Sequence, residues 1–353
     1  MNIPLFKIHW DDNDIEAVVS SLKRGMSWAD GPTVEEFEKL IAQYIGRKYA
    51  VVFNSGTSAL HALFMALGIG GGDEVIVPSF SFIATANAPL FVGANPVFAD
   101  IEEDTYGLDV KEVEKKITEK TKAIMPMHYG GAVARDIKEL RALADKHNII
   151  LIEDAAESFG AKLDNQKVGC FGHHAMFSFC QTKVFTTAEG GCIVTDSEEI
   201  CNKLKLLRSH GKEKDEYVSL GYNFRMPDCL ASLGISQLNK VDKLIEIRRE
   251  KADYYDNNLS GDIIIPKFNC FHVRQEYHIR TKRRDELKQY LAEKGIGTRI
   301  SFPLIHLTKF YQRADNLPIA EKIVSENISL PLYVDLTKQE QDYIIEEIKK
   351  FYE

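Results

Sequence analysis

Between Val168 and Ala188 the chain carries one full charge, Lys183, at the end of Ser178-Phe179-Cys180-Gln181-Thr182-Lys183. Its neighbours are apolar, hydroxyl and glycine residues, whereas most lysines lie among other charges in water. Burial disfavours the ammonium form, and a neutral amine is a nucleophile toward carbonyl carbons. The alternative for such a residue is a solvated or snorkelling lysine at a strand end. A carboxylate of similar interest follows the apolar run Ile149-Ile150-Leu151-Ile152, in Glu153-Asp154-Ala155-Ala156-Glu157. The small residues after Asp154 permit close approach, so its carboxylate can hold a protonated ring nitrogen; an Asp that merely caps the next turn has the same signature. A third feature, Asn54-Ser55-Gly56-Thr57-Ser58-Ala59-Leu60, follows Val51-Val52-Phe53 and opens directly into a helix. It offers free N–H groups and a positive dipole end to a phosphate, although Ser and Thr are also ordinary helix caps.

Two other readings of the glycines fail on spacing. The turn at residues 54–60 lacks the lysine of a nucleotide-binding P-loop. The run Gly68-Ile69-Gly70-Gly71-Gly72 follows a helical pattern and precedes a strand, so it is a helix stop and turn, not a dinucleotide fingerprint. A phosphate cradle, a strand-end carboxylate and an isolated amine are together the parts that pyridoxal 5′-phosphate requires, namely an anchor, a ring-nitrogen partner and a Schiff-base lysine. Their co-occurrence outweighs the three separate structural explanations.

These groups must be positioned by a scaffold, and its pattern is visible from about Tyr49 to Ser209. Short β-branched runs alternate there with amphipathic stretches, the signature of a mainly parallel sheet covered by helices. The spacing predicts strands at Val51–Phe53, Glu74–Val77, Pro96–Phe98, Ala123–Met125 and Ile149–Ile152, with a further pair at Ala175–Phe179 and Gly191–Thr195. Helices are predicted over Ser58–Leu67, Val110–Ile117 and Ile137–His147. In open parallel sheets, ligands collect at the carboxyl ends of the strands, where all three features lie. A helical periodicity from Asp228 to Leu259 predicts one long connection to a smaller C-terminal unit. The expected fold is therefore α/β: a large domain, 1–245, with a mainly parallel seven-stranded type of sheet flanked by helices, and a smaller α+β domain, 246–353.

Length and composition agree with this organisation. The 353 residues exceed a single average domain, and 44% apolar with 27% charged residues is the profile of a globular chain. With 44 basic against 52 acidic side chains, the net charge of −8 repels a phosphate backbone, so no nucleic-acid partner is expected. No apolar stretch reaches the roughly 18 residues that span a bilayer, and Met1-Asn2-Ile3-Pro4 lacks the layout of a signal peptide. No membrane association and a cytoplasmic location are the expectation. The six cysteines, Cys170, Cys180, Cys192, Cys201, Cys229 and Cys270, include no CxxC pair, so neither a metal site nor a disulfide framework is indicated.

The residues above belong to a set of motifs that resembles the DegT/DnrJ/EryC1/StrS family of sugar aminotransferases, pyridoxal-phosphate enzymes of fold type I in the aspartate-aminotransferase superfamily. The resemblance extends over almost the whole chain. It rests on Trp28-Ala29-Asp30-Gly31-Pro32 with Glu35, Phe37 and Glu38, on Asn54 to Leu60, and on Pro78-Ser79-Phe80-Ser81-Phe82 with Thr85 and Asn87. It also rests on Glu153 to Glu157, Ser178 to Lys183 with Glu189-Gly190-Gly191, Gly221-Tyr222-Asn223-Phe224-Arg225-Met226, and Gly295-Ile296-Gly297-Thr298. It implies that Lys183 forms the Schiff base, Asp154 faces the pyridine nitrogen and Phe82 stacks on the ring. Glu157 would lie near the phenolic oxygen or the incoming sugar. Gly56, Thr57, Ser58 and Ser178 would hold the phosphate, and Asn223 would reach it from the partner subunit of a homodimer with shared active sites. His306, in Pro303-Leu304-Ile305-His306, matches a segment near the sugar site and is equally compatible with a surface histidine.

Three departures stand out. Relatives often carry Gln or His in place of Glu157, Cys180-Gln181-Thr182 is an unusual filling before the lysine, and the chain is short around Tyr277 to Thr281. The implied activity moves an amino group from an amino acid, glutamate, to a nucleotide-linked keto-sugar. Alternatives are a pyridoxal-phosphate sugar dehydratase, whose members replace the lysine with His, a desulfurase, or a non-catalytic cofactor-binding regulator. An intact Lys183 and Asp154 count against the dehydratase and the regulator.

Overall fold

The computed structural model describes residues 1–29 and 31–353. Asp30, part of the motif Trp28 to Pro32, lies outside the described residues. The chain begins with helices α1 (Asp12–Lys23) and α2 (Pro32–Ile45), then alternates β1 (Tyr49–Phe53), α3 (Gly56–Ala66), β2 (Glu74–Pro78), α4 (Ile83–Phe91), β3 (Asn95–Ala99), α5 (Val110–Lys116), β4 (Thr121–Ile124), α6 (Ile137–His147) and β5 (Ile150–Asp154). A small hairpin, β6 (Lys162–Leu163) and β7 (Gln166–Lys167), precedes β8 (His174–Ser178), β9 (Gly191–Thr195) and α7 (Glu198–Arg208). A second hairpin, β10 (Lys212–Glu213) and β11 (Glu216–Tyr217), leads to α8 (Asp228–Leu238) and α9 (Val241–Asn258). The remainder comprises β12 (Tyr277–Arg280), α10 (Arg284–Glu293), α11 (Pro318–Glu326), β13 (Asn327–Leu330) and α12 (Lys338–Tyr352).

Seven strands form one sheet in the order β1-β9-β8-β5-β4-β2-β3. β9 runs antiparallel to both its neighbours, and the other pairings are parallel. Each strand divides its side chains between two cores with a period of two. Val52, Ile76, Leu151, Phe177 and Val194 face a core built with α2, α6, α8 and the start of α9. Val51, Val77, Ile152, Met176 and Ile193 face the other, built with α3, α4 and α7. Both faces are covered, so the strands read as nearly continuous apolar runs. Each fully buried Val, Leu, Ile or Phe side chain contributes about 1.5–3 kcal/mol.

A third core joins the end of α9 to β12, β13, α10 and α12, and Ile3 packs into it. α9 crosses between units, with Leu244 and Ile245 in the first core and Ala252 and Tyr255 in the third. The connection predicted as one helix from Asp228 to Leu259 is instead two, separated at Asn239-Lys240, where Lys240 ion-pairs with Asp11 and Asp14 at 2.7 Å each. Periodicity does not reveal the break, because Leu238 and Val241 on either side bury against the same core. Phe302, Leu304, Leu317 and Ile323 return to the α3 side of the large sheet, so the chain beyond residue 246 contributes to two cores. Gly68 and Gly72 adopt φ of +70° and +94° in the turn before β2, as their helix-stop reading requires. Among the described residues, no helix is long and apolar enough to cross a membrane, and no cluster of metal-ligating side chains occurs.

Candidate active site

The end of β5 shows how strand alternation selects one carboxylate for chemistry. Glu153 points to the α6 side, where it is fully buried and accepts N–H bonds from Gly169 (2.8 Å), Phe171 (2.8 Å) and Gly172 (2.6 Å) and a bond from His128 Nε2 (3.0 Å). Burial alone would push its carboxyl up, but His128 and the glycine amides outweigh burial and hold it below the usual range. Asp154, one residue later, faces the opposite side and lines a cavity of about 400 Å³ at the carboxyl edge of the sheet. It accepts one hydroxyl bond, from Thr85 Oγ1 at 2.7 Å, and one N–H bond, from Ala156 at 3.2 Å. Burial pushes its carboxyl above the usual range despite these bonds and the Lys183 charge. A carboxylate so incompletely compensated in a buried cavity suits a cationic N–H partner.

Lys183 enters the same cavity from the loop between β8 and β9. The loop is tied back by Phe179 N–H to Gly190 O (2.9 Å) and Thr187 N–H to Phe179 O (3.0 Å), with Ala188 at φ +67°. Phe179 and Phe185 are buried against Phe159 under the loop, so Lys183 is aimed by packing on both flanks. Its Nζ donates to Glu157 Oε1 at 3.2 Å. Burial pulls the ammonium down, but the carboxylates of Glu157 and Glu276 pull harder, and the net displacement is upward. Burial alone, the effect visible in sequence, would lower it; the adjacent carboxylate reverses the sign. Glu157 also accepts Gly130 N–H at 2.9 Å, and burial pushes its own carboxyl up.

At the other end of the cavity, α3 presents its N-terminus. Ser55 caps the helix by accepting Ser58 N–H at 3.1 Å, which leaves the amides of Gly56 and Thr57 without intrahelical acceptors. Gly56 and Gly191 allow this approach. A Cβ on Gly191 would lie 2.4 Å from Gly56 N, and one on Gly56 would lie 2.9 Å from Met176 Sδ. Ser178 also lines the cavity, at the end of β8. Ser58 does not line it; its hydroxyl turns inward to Asn54 Oδ1 at 2.5 Å. Phe82, 57% exposed at the start of α4, forms one wall, with Phe302 edge-on beside it at 6.3 Å.

Two expected residues stand elsewhere in this chain. His306 is buried on Phe98, with Nδ1 bonded to Ser79 Oγ at 2.7 Å, outside the cavity lining. Asn223, expected to act only on a partner subunit's site, is exposed on a loop whose next residue accepts a bond from the turn before α3, Asn54 N–H to Phe224 O at 2.9 Å. Conversely, the cavity includes Arg299, whose guanidinium pairs with the buried Glu276. Its distance in sequence from Lys183 conceals it; the only local signal is a lone cation after the quoted Gly295-Ile296-Gly297-Thr298. The cavity thus combines free helix amides, an under-compensated carboxylate, an exposed aromatic face and one amine, and this donor set fits pyridoxal 5′-phosphate.

Comparisons with known proteins agree with this geometry. The chain is 36% identical to a pleiotropic regulatory protein of Geobacillus stearothermophilus, covering 100% of this chain and 99% of the relative. It is 35% identical to the GDP-perosamine synthase of Escherichia coli O157:H7, covering 99% and 98%. Its structure is similar to that of NtdA from Bacillus subtilis with its cofactor PMP bound, at a TM-score of 0.89 and 29% identity over 96% of this chain and 82% of the other. The sequence profile of one family matches residues 9–349, and on that match and these likenesses the chain belongs to the DegT/DnrJ/EryC1/StrS aminotransferase family.

Proposed function

We propose that the cavity at Lys183 and Asp154 is where this pyridoxal-phosphate enzyme moves an amino group from an amino acid, glutamate, to a nucleotide-linked keto-sugar. The observation that carries the reading is the meeting of a single amine, its side chain 15% exposed, an under-compensated carboxylate and an open helix N-terminus in one cavity. Bound there, the cofactor supplies an aldehyde and a ring that accepts electrons from a carbanion. Lys183 Nζ would hold the cofactor at its aldehyde, and its amine would move the proton at the substrate carbon. Asp154 would keep a proton on the cofactor's ring nitrogen. Gly56 and Thr57 N–H and the Ser178 hydroxyl hold the phosphate, and Phe82 covers the ring. Ser58 supports that end through Asn54 and the Ser55 cap. Glu157, paired with the Lys183 amine, would lie near the phenolic oxygen or the incoming sugar. His306 would act through Ser79, to which its Nδ1 is bonded, from outside the cavity lining.

A homodimer completes the site in this proposal. Asn223 is exposed here and would serve a second copy's phosphate end, and large exposed apolar side chains such as Trp10, Met26, Tyr217 and Leu220 supply surface for association. The division into 1–245 and 246–353 is supported by the separate third core, with the segment around residues 302–323 returning to the first unit. Six unpaired cysteines support a reducing, cytoplasmic setting. The intact lysine favours amino transfer over dehydration or a purely regulatory role. Lys183→Ala tests the assignment: turnover and the visible absorbance of bound cofactor should both vanish, and a yellow, active variant would contradict it.

A further inference from the structure

Arg248, on α9, is 6% exposed and makes no ion pair among the described residues. Its Nε donates to Arg274 O at 2.8 Å and its Nη2 to Gln275 O at 2.7 Å, both neutral acceptors, and its Nη1 has no partner among the described residues. Burial pulls the guanidinium down to about 10, as befits a cation short of negative charge. Buried charges are ordinarily paired. The side chain borders a small space of about 30 Å³, together with Gln275, Glu276 and Arg299. That volume takes two or three waters, or one ion of halide size with a water beside it. Arg299 Nε is a second buried donor without a partner. Glu276 borders the same space, but its oxygens are committed, Oε1 to Arg299 and Oε2 to Ser301 (3.1 Å) and Ser329 (2.8 Å). Two guanidiniums against one carboxylate leave the space with one positive charge in excess.

We propose that this space is a binding site for a monovalent inorganic anion of halide size, held by Arg248 Nη1 and Arg299 Nε. Size, charge and surroundings each select that ligand. The volume is too little for a sugar, a nucleotide or a whole amino acid. One negative charge cancels the excess, whereas a dianion would reverse it. Leu5, Leu330 and Leu332 supply apolar walls that keep the local dielectric low and strengthen the attraction. Gln275 Oε1, buried and unpartnered, would repel an anion directly, so the companion water stands between them and donates one hydrogen to each. Access is from solvent, past Phe6, which borders the space and is 37% exposed. Gln275 Nε2 also donates to Thr182 O at 2.6 Å, next to Lys183, so filling the space firms the loop that carries the amine. Nothing in this site depends on the amino-transfer reaction.

The test is differential scanning calorimetry of the holoenzyme in sodium chloride and in sodium gluconate at equal ionic strength. Equal ionic strength cancels general screening, and gluconate is too large for the space. Chloride at about 0.1 M should raise Tm by about 2 °C, saturably, as binding to the folded state alone requires. Arg248→Met should erase the difference between the salts, and Arg248→Lys should keep part of it. Equal Tm values in the two salts would overturn the proposal without any variant. A folded Arg248→Met protein that keeps the chloride effect would overturn it as well, since the ion would then sit elsewhere. Should Arg248→Met fail to fold, a bromide-soaked crystal of the parent protein decides. Anomalous signal beside Arg248 is expected there, and its absence would overturn the site.

Discussion

Gly191 on β9 lies directly beneath the first residue of α3, so that a Cβ on Gly191 would stand 2.4 Å from Gly56 N. The neighbouring atom is backbone and cannot swing aside. Gly191→Ala must therefore push the helix start outward, at a cost of about 1–3 kcal/mol for overpacking. The amides of Gly56 and Thr57 move with it. Absorbance titration of the apo-protein with pyridoxal 5′-phosphate should show a weakened Kd alongside a lowered Tm; unchanged cofactor affinity would refute the role of that helix end.

The ion pair between Lys183 and Glu157 fixes the sign of a pH effect. The carboxylate raises the amine above its ordinary value, with burial opposing. Glu157→Gln removes the largest upward cause, so the amine should lose its proton at lower pH. In the apo-protein, the rate of cofactor capture should then rise at neutral pH and its pH midpoint should move down. A midpoint that stays in place or moves up would show that Glu157 does not govern the amine.

Asp154 carries a stability cost that a cofactor bound beside it would offset. Its folded carboxyl is raised by burial above the ordinary 3.8. The folded state therefore holds the proton more tightly than the unfolded chain, and apo stability falls as pH rises from that value through the raised one. Asp154→Asn removes this loss, and should raise the apo Tm at pH 7 by about 2 °C or more. The same change should lower turnover by about 100- to 1,000-fold through lost electrostatic stabilisation. Differential scanning calorimetry and steady-state rates check the two halves; a less stable, fully active variant would refute both.

Glu153 should behave in the opposite way. Its folded carboxyl is lowered, through His128 and the glycine amides, from the ordinary 4.5. Its contribution is present above that value and lost as pH falls through the lowered one. Glu153→Gln turns an amide N–H₂ toward groups that already donate, at about 3–5 kcal/mol for breaking a buried charge network. The denaturation midpoint should drop clearly at pH 7, and the gap to the parent should narrow toward acid pH. An unchanged midpoint would refute this structural role.

The linear order of residues determined the sheet, the three local features and their likeness to one family, because strand alternation, helix caps and turns depend on neighbours a few positions apart. It also singled out Lys183, whose isolation is a local property. Tertiary structure alone decided that Glu153 is bound up in the interior while Asp154 is free to act, since that depends on which core covers each face of β5. It decided that Lys183 pairs with Glu157, that Ser58 turns away from the cavity, and that His306 sits on Phe98. Arg299, paired with Glu276, joins the cavity from far along the chain. Long-range packing brings them there, and the charge balance of a buried space is a sum over whatever the fold assembles in it, a quantity no sequence window contains.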